Sequence, residues 1–252
     1  MGSQMLLRND AGTISAIPYA VLTLVVFGLF LVGMGVVVDA LVEVDNSMMT
    51  ATTTPRPTPV PTPAPSPGEI ACGGSSHALH LWPNGTVEGM GMDTYGQATP
   101  PAGLTGVTAV SAGGHHSLAL KADGTVVGWG ENRGGQISVP AGLTGVTAVS
   151  AGEYHSLALK SDGTVVGWGD DYYGQATPPA GLTDVAAIAA GDVHSLALKS
   201  DGTVVGWGNN DEGQATPSAG LRAVAIAAGG YNSIALTADG EVVQWGTWEL
   251  PQ

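Results

Sequence analysis

Histidine recurs at one register of this chain, at positions 77, 116, 155 and 194, and Asn232 takes the fifth place at the same interval. His116, His155 and His194 are each followed directly by a serine, Ser117, Ser156 and Ser195. Two chemistries use such residues: zinc binding and serine-type nucleophilic catalysis. Zinc needs three or four ligands converging within about 2–2.3 Å of one point, which side chains spaced one structural repeat apart cannot do. A Ser-His dyad needs the two side chains on one face, whereas neighbours along a strand point to opposite faces. The repeated histidine is therefore expected to hold structure through a buried hydrogen bond. The recurring Asp-Gly carboxylates are turn residues first. No Gly-rich phosphate loop or paired-carboxylate arrangement stands out from the repeat. The expectation is a non-enzyme that uses no metal and no cofactor.

The elements that carry these residues repeat almost letter for letter. "HSLALKSDGTVVGWG" fills 155–169 and 194–208, and a copy at 116–130 differs only by Ala122. Met90, Trp129, Trp168, Trp207 and Trp245 keep step with Asn84-Gly85, Asp123-Gly124, Asp162-Gly163, Asp201-Gly202 and Asp239-Gly240. Five units with a period near 40 mark a repeat architecture. Within a unit, "VTAVSAG" (107–113), "HSLALK" (116–121) and "TVVGWG" (125–130) read as three strands. Asp-Gly between the last two is a two-residue hairpin signal, both turn residues needing positive φ. The second and third strands are apolar on both faces, as in sheets buried between sheets. The fold class expected is all-β: a β-propeller, or open propeller-like arc, of five short three-stranded blades. The near-identity follows because every blade meets the same neighbours.

"HSLALKSDGTVVGWGDDYYGQATPPAGLTDVAAIAAG" resembles the repeats of the regulator of chromosome condensation superfamily over roughly residues 69–246. Its Gly-Trp-Gly, Gly-Gln and Ala-Gly-x-x-His-Ser marks look closest to the short-repeat bacterial branch that includes the propeller-type β-lactamase inhibitor protein. The resemblance implies narrow blades around a central axis, seven in most members against five units here. A closed five-bladed ring, an open arc, and an arc completed by self-association with a second copy all stay open.

The copies differ at two spots. One is the pair before the repeated His: Ser75-Ser76, Gly114-His115, Glu153-Tyr154, Asp192-Val193 and Gly230-Tyr231. The other follows Gly-Trp-Gly: "MDTY" (92–95), "ENRG" (131–134), "DDYY" (170–173), "NNDE" (209–212) and "TWE" (247–249). With strands running up, down and up, both spots emerge on one rim, opposite the constant Asp-Gly turns. Tyr and Trp are enriched where proteins recognise one another. The candidate ligand-binding residues are therefore Tyr95, His115, Glu153, Tyr154, Asp170, Asp171, Tyr172, Tyr173, Asp192, Asp211, Tyr231 and Trp248. The resemblance adds that the inhibitor branch meets its partner through aromatic and acidic loop residues of one face. The expected partner is a protein or a cell-surface glycan. A structural envelope or pilus-associated module is the other reading.

The rest of the chain places this head. Residues 14–38 carry no charge and are long enough to cross a hydrocarbon core of about 30 Å as a helix. Arg8 precedes the run and Asp39, Glu43 and Asp45 follow, so a 1–13 segment inside and a single-pass anchor with the head outside are expected. A cleaved signal with a secreted head is the alternative, although signal cores run only about 7–15 residues. Residues 39–68 form a Thr/Pro-rich linker, with proline at every second position from 55 to 67, which favours extended polyproline II. The formal net charge is −14, with only seven Lys and Arg in the chain. Nothing resembles the basic stripe that nucleic acid requires. Cys72 is the only cysteine, so no intrachain disulfide forms. Its sequence spacing sets it level with Ser111, Ser150, Ala189 and Ala227, a small buried place.

Overall fold

The computed structural model describes residues 5–8, 14–17, 68–74 and 77–247. Met5–Arg8 (β1) and Ile14–Ile17 (β2) pair antiparallel. The remainder of the apolar run, the linker up to residue 67, Ser75, Ser76 and residues 248–252 lie outside the described residues. The expected anchor and linker fall almost wholly there. Among the described residues no helix is long and apolar enough to cross a membrane.

Five three-stranded antiparallel sheets follow. Blade 1 is β3 (Glu69–Cys72), β4 (His77–Leu81) and β5 (Val87–Gly91); blade 2 is β6 (Val107–Ala112), β7 (His116–Lys121) and β8 (Val126–Gly130). Blade 3 is β9 (Val146–Ala151), β10 (His155–Lys160) and β11 (Val165–Gly169); blade 4 is β12 (Val185–Ala190), β13 (His194–Lys199) and β14 (Val204–Gly208). Blade 5 is β15 (Ala223–Ala228), β16 (Asn232–Thr237) and β17 (Val242–Gly246). In each sheet the middle strand is the second in sequence. The five-blade expectation holds.

Alternation along the middle strand divides labour between faces. Leu118 and Leu120 point to blade 3 and pack with Ala151, Ala158 and Trp168. Leu157 and Leu159 meet Ala197 and Trp207 in the same way, and Leu196 and Leu198 meet Ala228, Ala235 and Trp245. Leu79 and Leu81 begin the series against Ala112, Ala119 and Trp129. The core is thus four copies of one interface, a leucine face closing on an alanine–tryptophan face. Burying a leucine contributes about 1.5–3 kcal/mol, so each interface rewards keeping the same letters.

Two expectations are corrected. The hairpin between second and third strands is not a two-residue turn with two positive φ angles. Only the glycine is left-handed, as at Gly163 with φ 76°. Lys160 N–H bonds Thr164 O and Gly163 N–H bonds Lys160 O, enclosing the three-residue loop Ser161-Asp162-Gly163. Asp162 Oδ1 accepts the N–H and hydroxyl of Thr164, which holds the aspartate without a left-handed backbone. Second, Cys72 pairs with Ala78 as Ala112 pairs with Ser117, so its counterpart is Ala112 and not Ser111. The first turn of blade 1 is one residue longer, which displaces the sequence spacing by one. Cys72 is half-buried.

Each inner strand also meets its neighbour, β3 on β6, β6 on β9, β9 on β12 and β12 on β15. Among the described residues β15 has no such neighbour in β3, and the end faces stay uncovered. Leu236 is 36% exposed where Leu120, Leu159 and Leu198 are 4–5% exposed. Among the described residues the five blades thus form an open arc.

Candidate functional site

The repeated histidine is fully buried and its partner lies in the next blade. His77 Nε2 meets Ser117 Oγ at 3.0 Å, His116 meets Ser156 at 2.9 Å, and His155 meets Ser195 and His194 meets Ser233 at 2.8 Å. Each serine spends its one hydroxyl proton on a backbone carbonyl, Ser117 on Gln97 O and Ser156 on Gln136 O. The histidine must therefore donate from Nε2, which leaves Nδ1 as the bare nitrogen. That carbonyl also accepts the indole N–H of the next blade: Trp129 on Gln97 O and Trp168 on Gln136 O, both at 2.8 Å. Burial lowers the histidines from the ordinary range, His116 and His155 to about 3 and His194 to about 4. A neutral imidazole whose serine has already donated its proton elsewhere cannot activate that serine as a nucleophile. The recurring His-Ser pair is a fastener between blades, as expected of a structural bond, though its partner is across the interface.

The same linkage builds the rim. Gln97, Gln136, Gln175 and Gln214 are fully buried, and their side-chain Oε1 accepts a loop N–H from Tyr95, Gly134, Tyr173 and Glu212 respectively. The loop folds back over the third strand so closely that a Cβ on Gly167 would lie 2.2 Å from Ala176 O. Loop and first turn are also joined directly, Glu131 N–H to His115 O and Asp170 N–H to Tyr154 O, each at 2.9 Å. Both variable spots do share one rim, on a rigid seat.

The candidate residues separate by task. Asp171 accepts from Ala176 N–H and the Thr177 hydroxyl, as Asp93 does for Ala98 and Thr99, so this carboxylate closes its own loop. Asp170 accepts from Gln175 Nε2 at 2.7 Å, and Asp211 from Asn209 at 2.8 Å. Tyr172, 82% exposed, meets Tyr173 edge to face at 4.8 Å between ring centroids. Tyr95 meets His115 similarly at 5.2 Å, and the Arg133 guanidinium sits 5.5 Å over the Tyr95 ring while pairing with Glu131. Tyr154 is exposed and bonded to Glu153, which reaches back over Gly114 of the preceding blade. Burial and the Asp192 charge raise the Glu153 carboxyl, and burial raises Asp192. Tyr231 is half-buried. Trp248 lies outside the described residues.

Aromatic and acidic groups therefore come together in three clusters: Tyr95–His115–Arg133–Glu131, Glu153–Tyr154–Asp192, and Tyr172–Tyr173. Sequence reasoning missed the glutamines, whose Gly-Gln recurrence is the signal that would have found them. It also passed over Arg133, a rim cation held by Glu131 and Tyr95. The repeated tryptophans are buried with their N–H groups bonded, so their rings are unavailable to a sugar.

The Regulator of chromosome condensation (RCC1) repeat profile matches residues 107–136, 146–175 and 185–214, one copy for each of blades 2, 3 and 4 with its following loop. Residues 107–214 carry three tandem RCC1 repeats. Solved structures share the fold. Prp20p from Saccharomyces cerevisiae is 22% identical with TM-score 0.59, covering 72% of this chain and 57% of its own. The ectodomain of the Physcomitrella patens receptor kinase CR4 is 25% identical with TM-score 0.60, covering 72% of this chain and 52% of its own. The Arabidopsis thaliana ACR4 ectodomain is 23% identical with TM-score 0.57, covering 75% and 70%. This RCC1-repeat chain thus spans little more than half the length of the first two. Prp20p has been studied for binding to Gsp1p and histones, and has been solved with Kap60 bound. No curated protein matches the chain in sequence.

Proposed function

We propose that this RCC1-repeat arc is a protein-binding module whose variable rim docks a partner with a basic contact surface. The observation that carries the reading is the confinement of variation to one rim of an otherwise copied scaffold. Exposed Tyr154, Tyr172 and Tyr173 sit there, Tyr154 beside the half-buried Glu153 and Asp192, and Arg133 is already neutralised by Glu131. Lys121 and Lys160 lie at the other end, paired with turn aspartates. A cation from a partner placed between Glu153 and Asp192 relieves their mutual repulsion. The protein partners of Prp20p and the resemblance to the inhibitor branch support protein over glycan.

The test is capture of interacting proteins by the full chain, against a variant with Tyr154, Tyr172 and Tyr173 all changed to Ala. Exposed substitutions usually stay within about 0.5 kcal/mol, so the variant should melt with the parent yet lose the captured protein. Undiminished capture by a folded triple variant moves the binding face elsewhere. Retention on a glycan array in place of protein capture selects the carbohydrate reading, and neither activity selects the structural one.

The reading includes a membrane anchor at 14–38 and an outward-facing head on an extended stalk. Residues 52–67 would span about 50 Å at roughly 3.1 Å per residue. Protease added to sealed cells should release the head by cutting within residues 50–68. A protected head reverses the orientation, and a mature chain starting at Leu41 replaces the anchor with a cleaved signal.

A further inference from the structure

The end blades depart from the repeat together, and the departures match. At each inner interface the earlier blade supplies His and the later blade supplies Ser and Trp. Among the described residues blade 5 has no later neighbour, and Asn232 stands in place of its histidine. Among the same residues blade 1 has no earlier neighbour, and Ala78 replaces the serine while Met90 replaces the tryptophan. Gln244 replaces the glycine that lets the returning loop lie over the third strand. The histidine is replaced on the blade 5 face by Asn232, whose buried Oδ1 has no hydrogen-bond partner among the described residues, and the serine and tryptophan are missing from the blade 1 face.

On blade 1 the pair His80 and Glu88 stands where blade 2 has Ala119 and Val127, and on blade 5 Gln244 shares the face of Ile234. Exposed apolar side chains lie beside them. On blade 5, Ile234 and Leu236 continue the leucine face with Val242, which is 65% exposed. On blade 1, Ile70 is 58% and Met90 53% exposed, where Val110 and Trp129 are buried. Ile70 pairs with His80 across the sheet, and His80 stacks on Trp82 at 4.1 Å.

We propose that the leucine face of blade 5 in one copy seats on the blade 1 face of a second copy. The argument is continuity with an interface that the chain already makes four times: one end presents its leucine half and the other its receiving half. Such a contact is head-to-tail, so it propagates beyond two copies unless the rotation closes. It is independent of the rim and leaves the rim open to its own partner.

The experiment is the mass of the purified full chain in detergent, by light scattering across a hundredfold concentration range. The unmodified chain should rise from one protein mass to two or more. Leu236→Lys and Ile70→Glu should each stay at one mass and keep the parent melting curve, since both positions are exposed. A one-to-one mixture of the two variants should give two masses and no more, because each supplies the face that the other lost. An unmodified chain of one mass throughout overturns the proposal. Loss of association by Leu236→Lys alone, with Ile70→Glu still pairing, overturns it in favour of a symmetric blade 5 contact. A mixture that stays at one mass refutes the head-to-tail geometry.

Discussion

Mild acid should loosen this arc through the histidine fasteners. His116, His155 and His194 are buried neutral and titrate in the folded chain at about 3 to 4, against about 6.5 in an unfolded one. Between those limits the unfolded chain binds more protons, so stability is complete above pH 6.5 and falls as pH drops. Each histidine then costs up to about 1.4 kcal/mol per pH unit. At pH 5.0 that is about 2 kcal/mol each and about 6 kcal/mol for the three, against about 5–15 kcal/mol for a whole domain. The window from 6.5 to 5.0 lies above all three folded values, so the slope does not depend on their detail. His77 is lowered too and adds with the same sign. Glu69, Glu153 and Asp192 are raised and act with the opposite sign. The aspartates of the Asp-Gly turns, such as Asp123 at about 2, enter only in stronger acid. The assay is urea unfolding followed by tryptophan fluorescence at pH 7.0, 6.0, 5.5 and 5.0, on the parent and on His155→Asn, the residue that blade 5 uses at this place. The variant starts weaker at pH 7 but should lose about a third of the three-histidine slope. Stability that is flat from pH 7 to 5, or a variant with the full parent slope, refutes the buried neutral histidine.

Gly167→Ala should destabilise by several kcal/mol or dislodge the loop over blade 3, because its Cβ meets the Ala176 carbonyl at 2.2 Å; a melting curve unchanged from the parent would show that the loop is not seated there. Trp168→Phe keeps most of the ring but removes one of the two hydrogen bonds that Gln136 O accepts, and should cost about 0.5–1.5 kcal/mol in a urea midpoint. A neutral result would mean that the indole N–H contributes nothing to the fastener.

Much of the fold is legible in the letters alone. A period near 40, apolar second and third strands, and Gly-Trp-Gly at fixed offsets specify five three-stranded blades, because a repeated line buries only against a repeated neighbour. The rim was legible for the same reason: where copies need not match a neighbour, they differ. The turn chemistry was half legible, since Asp-Gly names a hairpin but not the residue that takes the left-handed backbone. The place of Cys72 was misread because one extra residue in the first turn shifts the register without changing the letters around it.

The tertiary structure decided what lies between blades. In the sequence His155 adjoins Ser156, yet its bond runs to Ser195, and Gln136 serves Ser156 and Trp168 from twenty and thirty-two positions away. Such pairings are invisible along the chain because a strand sends adjacent side chains to opposite faces, and only stacking brings the matching faces together. Packing likewise tied Asp170 and Asp171 by hydrogen bonds to their own loop and left the Tyr154, Tyr172 and Tyr173 rings exposed, although all five occupy the same variable spots. Closure was decided there too. The five units share one repeat pattern in sequence, but an interface needs two faces, and among the described residues blades 1 and 5 each keep one uncovered.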